Sequence, residues 1–119
     1  MKQRLTILLE NHVITQEVYD FVLKIYEGIM KSEDLDGAPS EVFLTHLAMA
    51  TQRIIDRNIV NEMEEMILNE VKASQYFDEA QRISNLIVEE SDISIPESEQ
   101  QYLWLHLSSA LQERGKPRD

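Results

Sequence analysis

The stretch Thr15-Gln16-Glu17-Val18-Tyr19-Asp20-Phe21-Val22-Leu23-Lys24-Ile25-Tyr26-Glu27-Gly28-Ile29 decides the fold class. Its apolar residues Val18, Phe21, Val22, Ile25, Tyr26 and Ile29 recur at i, i+3, i+4, i+7, i+8 and i+11, which winds them onto one side of a helix. Thr15 stands where a hydroxyl can cap that helix. The same period recurs along the chain, and no stretch of alternating apolar and polar residues competes with it.

Upstream, Leu5, Leu8 and Leu9, with His12 at the end, make a short opening helix that Ile14-Thr15 interrupts or bends. Downstream, Lys31 to Pro39 reads as a loop with Asp36-Gly37 as its turn signal. Ser40 then offers an N-cap, and Glu41 supports the helix dipole in the first turn. This helix runs to about Asp56 with a stripe of Phe43, His46, Leu47, Ala50 and Ile54, which puts His46 on the apolar side. A break follows at Asn58 to Asn61. Met63, Met66, Ile67 and Val71 mark a further helix. Tyr76, Ala80, Ile83 and Ile87 mark another after a break near Ala73-Ser74-Gln75. Ser91 to Pro96 is a loop, and Ser98 with Gln101 fits a capping box. Tyr102, Leu105, His106 and Ser109 share one face of the last helix, broadened by Leu103, Leu107, Ala110 and Leu111, with Trp104 beside that face and partly buried. Gly115 and Pro117 end it. The sum is about five helices in an all-α bundle, one domain over residues 1–119 with its core at about 10–112.

Composition narrows the function. The 119 residues carry 22 acidic and 11 basic side chains, a formal net charge of −11. No basic run is long enough to face phosphate, so direct binding to nucleic acid or to an anionic membrane is not expected. There is no Cys, which removes disulfides and thiolate chemistry. Five apolar residues before Glu10 are too few for a signal peptide, and no apolar run reaches membrane-spanning length. The reading is a soluble cytoplasmic protein.

No catalytic motif appears: neither a Gly-x-Ser-x-Gly elbow nor a phosphate-binding glycine loop. The pairs Glu64-Glu65 and Glu89-Glu90 read as solvated faces. Met49, Met63 and Met66 read as core filler. No cofactor and no metal are expected. His46 and His106 lack Asp, Glu or His three or four residues away, the spacing that a metal site on one helix needs. Glu99 lies seven residues before His106, about 10 Å along a helix. His12, close to Glu10, reads as a surface residue. His46 and His106 remain as either core-edge residues in a helical packing or acceptors in a phosphorylation device, since imidazole switches charge near neutral pH.

Two segments resemble the PRD family, the phosphotransferase-system regulation domains. The first is Phe43-Leu44-Thr45-His46-Leu47 with Arg53 seven residues after the histidine. The second is Glu99-x-x-Tyr102-Leu103-x-Leu105-His106-Leu107. Between them, Asn69-Glu70-Val71-Lys72 leading to Tyr76-Phe77 and Ala80 is similar to the family's middle region. The resemblance spans roughly residues 10 to 112.

It implies a compact five-helix bundle, usually a homodimer. It also implies a non-enzymatic regulator whose histidines, here His46 and His106, accept phosphate from HPr or sugar-specific EIIB components of the phosphotransferase system. Arg53 and Glu99 match positions that support the helices or the site. Family members sit in antiterminators and activators of bacterial sugar operons, usually as two copies beside a nucleic-acid-binding domain. This chain has one copy and no basic module, so its expected output is through a partner protein. The alternative is a helical dimer that acts as an interaction module with both histidines merely packed.

Overall fold

The computed structural model describes residues 2–35, 37–58 and 60–114. Among them run six α-helices and no strand: α1 (Lys2–Glu10), α2 (Gln16–Ile25), α3 (Ala38–Ile55), α4 (Glu65–Ala73), α5 (Phe77–Glu90) and α6 (Glu97–Arg114). The all-α expectation is met, with six helices in place of five. The opening segment is a helix of its own rather than a bent extension of α2.

Thr15 caps α2 as its position suggests: the Val18 amide donates to Thr15 Oγ1 at 3.4 Å. The stripe of α2 buries Val18, Val22 and Ile25 completely. It then changes phase. A π-helical turn at Tyr26–Met30 continues α2, with the Lys31 amide reaching back five residues to the Tyr26 carbonyl. A π turn holds one residue more than an α turn. Met30 therefore takes the core position that the simple period gives to Ile29; Met30 is fully buried and Ile29 only partly so.

Three helix ends share one device. His12, Asp34 and Arg57 have φ of 59°, 57° and 59°. At each, the amide of the left-handed residue bonds a carbonyl three residues back and the next amide bonds one five back: His12 to Leu9 and Val13 to Leu8, Asp34 to Lys31 and Leu35 to Met30, Arg57 to Ile54 and Asn58 to Arg53. This is the Schellman pattern, which satisfies the last helical carbonyls and usually employs Gly. The turn after α2 is thus made at Asp34, ahead of Asp36-Gly37; Asp36 lies outside the described residues, as do Gly115 and Pro117.

The expected caps of α3 and α6 are displaced. Helix α3 begins at Ala38 with Gly37 as N-cap, so Ser40 falls inside the first turn. Pro39 fits that turn because the first helical amides have no intrahelical acceptor to lose. Helix α6 begins at Glu97, and the Pro96 carbonyl accepts the Glu99 and Gln100 amides. Ser98 and Gln101 form no capping box. Gln101 is buried and accepts the Met63 amide at 3.0 Å.

One apolar cluster joins α1, α2, α3, α5 and α6 around Leu5, Val22, Phe43, Leu47, Ile83 and Leu107. A smaller one, Met63, Val71 and Trp104, seats α4 on α6. Trp104 is more deeply buried than expected, at 7% exposure, and stands edge-on to Phe77 at 5.5 Å. The methionines divide. Met63 is core, whereas Met49 and Met66 are exposed, and so is Ile67. The short α4 meets α6 through Leu68 and Val71 and turns Met66 and Ile67 away.

Removing the side chain at a left-handed position relieves steric cost. His12→Gly is expected to raise stability by about 0.5–1 kcal/mol, net of the entropy Gly adds to the unfolded chain. Urea denaturation of the two proteins checks this. An unchanged or lower midpoint would show that the His12 side chain contributes more than its backbone costs.

Candidate functional site

The face of α3 that meets the core is centred on Leu44, Leu47, Ala48 and Thr51, all buried. His46 lies one step round the helix from that centre and is exposed. Along the same flank run Val42 and Met49, 52% and 37% exposed. The stripe expected to carry His46 inward is therefore rotated. The core takes the larger set of apolar residues and leaves His46 at the rim.

Helix α6 behaves alike. Leu103, Trp104, Leu107, Ala110 and Leu111 are buried, whereas Tyr102, Leu105 and His106 are half-buried and Ser109 is exposed. The face named from Tyr102, Leu105, His106 and Ser109 is the rim of the helix and not its core face.

Packing of α3 against α6 brings these two rims together. The rings of His46 and His106 stack with centroids 3.9 Å apart and planes 8° from parallel. Sixty residues of sequence separate them, and no spacing rule links residues on different helices. Burial pushes the His106 imidazole down to about 4, and the positive charge that His46 can carry beside it adds to the effect. His106 is thus neutral at physiological pH, with a ring nitrogen lone pair that protonation would otherwise occupy.

Beneath the rings is an ion pair. Arg53, two turns along α3 from His46, donates from Nε to Glu99 Oε1 at 3.3 Å and from Nη2 to Glu99 Oε2 at 3.1 Å. Glu99 is fully buried, while the Arg53 side chain remains 34% exposed. Glu99 Oε1 also accepts the Val60 amide at 3.3 Å. One carboxylate thus joins α3, α6 and the segment between α3 and α4. Because Nε and Nη2 face Glu99, the Nη1 edge of the guanidinium points away from it. His46, His106, Arg53, Glu99, Tyr102 and Val60 line a cavity of about 250 Å³ floored by Ala50 and Leu103. Nucleophilic nitrogens and a partly exposed guanidinium sharing one cleft is an arrangement suited to an anionic, phosphate-like group.

The four residues singled out in the sequence, His46, Arg53, Glu99 and His106, therefore meet in one place. His12 is exposed at the end of α1 and does not join them. Tyr102 and Val60 were missed as lining residues; Tyr102 lay within the second motif, whereas Val60 belongs to a segment with no periodic signal. Among the described residues, no three His, Asp or Glu side chains converge in a way that could hold a metal ion. No described helix is long and apolar enough to cross a membrane.

The sequence profile of the PRD domain matches residues 40–110, from the start of α3 almost to the end of α6. The chain belongs to the PRD family. The match is a single copy. It contains both histidines, Arg53 and Glu99, and leaves α1 and α2 outside it. No curated protein and no solved structure matches the chain. PRD domains are regulatory rather than catalytic, which fits the expectation that the chain is not an enzyme and suggests a role tied to the phosphotransferase system.

Arg53→Ala is expected to cost about 3–5 kcal/mol, because it strands a buried carboxylate. Glu99→Gln keeps an acceptor for Val60 and should cost less. Chemical denaturation of both variants tests the order, and equal losses would contradict it.

His106 sets a pH dependence. Its folded value lies below its unfolded one, so the unfolded chain binds the extra proton as pH falls from about 6.5 to about 4. Stability is full above that window and declines by about 2–3 kcal/mol across it. Denaturation between pH 7 and 4.5, compared with His106→Gln, should show the steeper decline in the parent.

Proposed function

We propose that this chain is a cytoplasmic PRD regulator whose histidine pair, His46 and His106, receives phosphate from HPr or an EIIB component and so couples sugar uptake to a partner protein or operon. The observation that carries this reading is the stacked pair beside Arg53. Two imidazoles from distant segments share a cleft with a guanidinium, which sets phosphoryl-accepting nitrogens beside a cation.

A phosphoryl group adds nearly two negative charges and several strong acceptor oxygens. That rule is drawn from hydroxyl side chains and carries over to imidazole. Here such a group would meet the free edge of Arg53 and draw the guanidinium from Glu99. Arg53 and Glu99 are in this reading the supporting pair. The exposed residues Val42 and Met49 flank His46 on α3 and would give a second copy or a regulator an apolar surface beside the charge that changes. A homodimer across this face is part of the proposal.

Those same exposed residues favour a second reading, a helical interaction module in which the histidines are only packing. Substitution separates the two. Under phosphate control, His46→Ala and His46→Asp shift the oligomeric state in opposite directions. Under packing, both lower stability by about 1–3 kcal/mol and shift oligomeric state alike. The deciding experiment incubates the protein with phosphoenolpyruvate, enzyme I and HPr, with and without EIIB proteins, and reads intact mass at neutral or mildly alkaline pH. Gain of a phosphoryl group that a histidine substitution abolishes is the expected result; no gain with any donor moves the conclusion to the interaction module.

A further inference from the structure

We infer that the histidine pair holds one phosphoryl group at a time, and that His46 is the nitrogen that takes it. This deepens the phosphoryl-acceptor reading and rests on it.

The inference follows from the stacking geometry. The rings lie 3.9 Å apart and nearly parallel. A phosphoryl group sits in the plane of the ring that carries it, with oxygens projecting above and below that plane. Groups on both rings would place two anions of nearly two charges each on rings one stacking distance apart, where they repel. Arg53 is the cation in this cleft, and two of its donor positions are already directed to Glu99. The structure thus offers one guanidinium edge for one anion. A second phosphoryl group would face the first across the stack without a counter-charge of its own.

Access chooses between the rings. Transfer from another molecule needs the acceptor nitrogen in line with the phosphorus–nitrogen bond that breaks. His46 is exposed on the flank of α3. His106 is half-buried, and a second groove that it lines is walled by Phe43 and Ala110. In the step itself, the donor's phosphorus–nitrogen bond breaks and one to a His46 ring nitrogen forms. The donor nitrogen leaves with the bonding pair and takes up the proton that the His46 ring gives up. Nothing is oxidised or reduced.

Phosphoramidate tests this without any donor protein, since it transfers its phosphoryl group to imidazole and releases ammonia. The protein used is the His12→Gly variant, which removes the third histidine and leaves the pair as the histidine acceptors. Intact mass under saturating phosphoramidate at mildly alkaline pH should show one group per chain. His106→Gln in the same background should still gain one, and His46→Gln should react at least tenfold more slowly.

Two groups on the His12→Gly chain, or a single group that survives His46→Gln at an unchanged rate, overturns the inference. So does the absence of any uptake, which would mean that His46 is not an accessible acceptor. The stoichiometry comes from a chain with the pair intact, so it does not depend on how well the substituted chains fold. The phosphotransferase incubation is read separately. If phosphoramidate gives one group on His46 but no protein donor does, the acceptor-site inference stands and the proposed cellular role fails.

Discussion

The buried carboxylate of Glu99 is the constraint on which the site depends. A charge removed from water is costly unless it is paired and its remaining lone pairs are engaged. Glu99 meets both conditions through the two-point contact with Arg53 and the Val60 amide. Each contact comes from a different part of the chain. The carboxylate therefore fixes the rotation of α6 about its axis, the position of Arg53 on α3, and the path of the intervening segment. With those fixed, the rims of α3 and α6 meet where His46 and His106 stand. The stacked rings stand two turns from this ion pair along either helix.

The same arrangement sets the electrostatics. The protein is strongly acidic overall, yet the cleft between α3 and α6 combines a guanidinium with an exposed imidazole and a half-buried one. Its guanidinium is balanced there by Glu99, so a phosphoryl group would draw on Arg53 only in competition with that carboxylate. Long-range attraction from the whole surface would favour basic partners, while Arg53 offers an anion hydrogen-bond donors at close range. A donor protein with a basic surface that carries a phosphoryl group would satisfy both.

Much of this was legible in the sequence, and the failures have physical causes. The all-α class followed from the period of Val18, Val22 and Ile25, and the Thr15 cap from its hydroxyl. The site residues His46, Arg53, Glu99 and His106 were found through spacing and resemblance, but their convergence was not. Periodicity places a residue on a helix face; it does not say which faces of two helices meet. Periodicity alone therefore turns His46 inward and leaves Trp104 too far outward. The phase slip at Met30 was hidden because a π turn has no compositional mark. The caps expected at Ser40 and Ser98 failed for another reason: Gly37 and Pro96 stand just ahead of them and start the helix earlier. Gln101, read as a local cap, is instead drawn to the Met63 amide across the fold.

The described residues between α3 and α4 form no helix or strand, yet the backbone there is held at intervals. The Asn58 amide bonds the Arg53 carbonyl, the Val60 amide bonds Glu99, and the Met63 amide bonds Gln101. Two of these anchors are side chains within one turn of α6, and the third is the backbone of the residue whose guanidinium grips Glu99. The segment is thus a strap laced across both helices at the rear of the histidine cleft. A rearrangement that draws Arg53 away from Glu99 leaves the three ties of the strap in place but strips Glu99, its middle anchor, of its counter-charge. A change of charge in the cleft would then bear on the chain leading into α4, the helix that carries the exposed side chains of Met66 and Ile67.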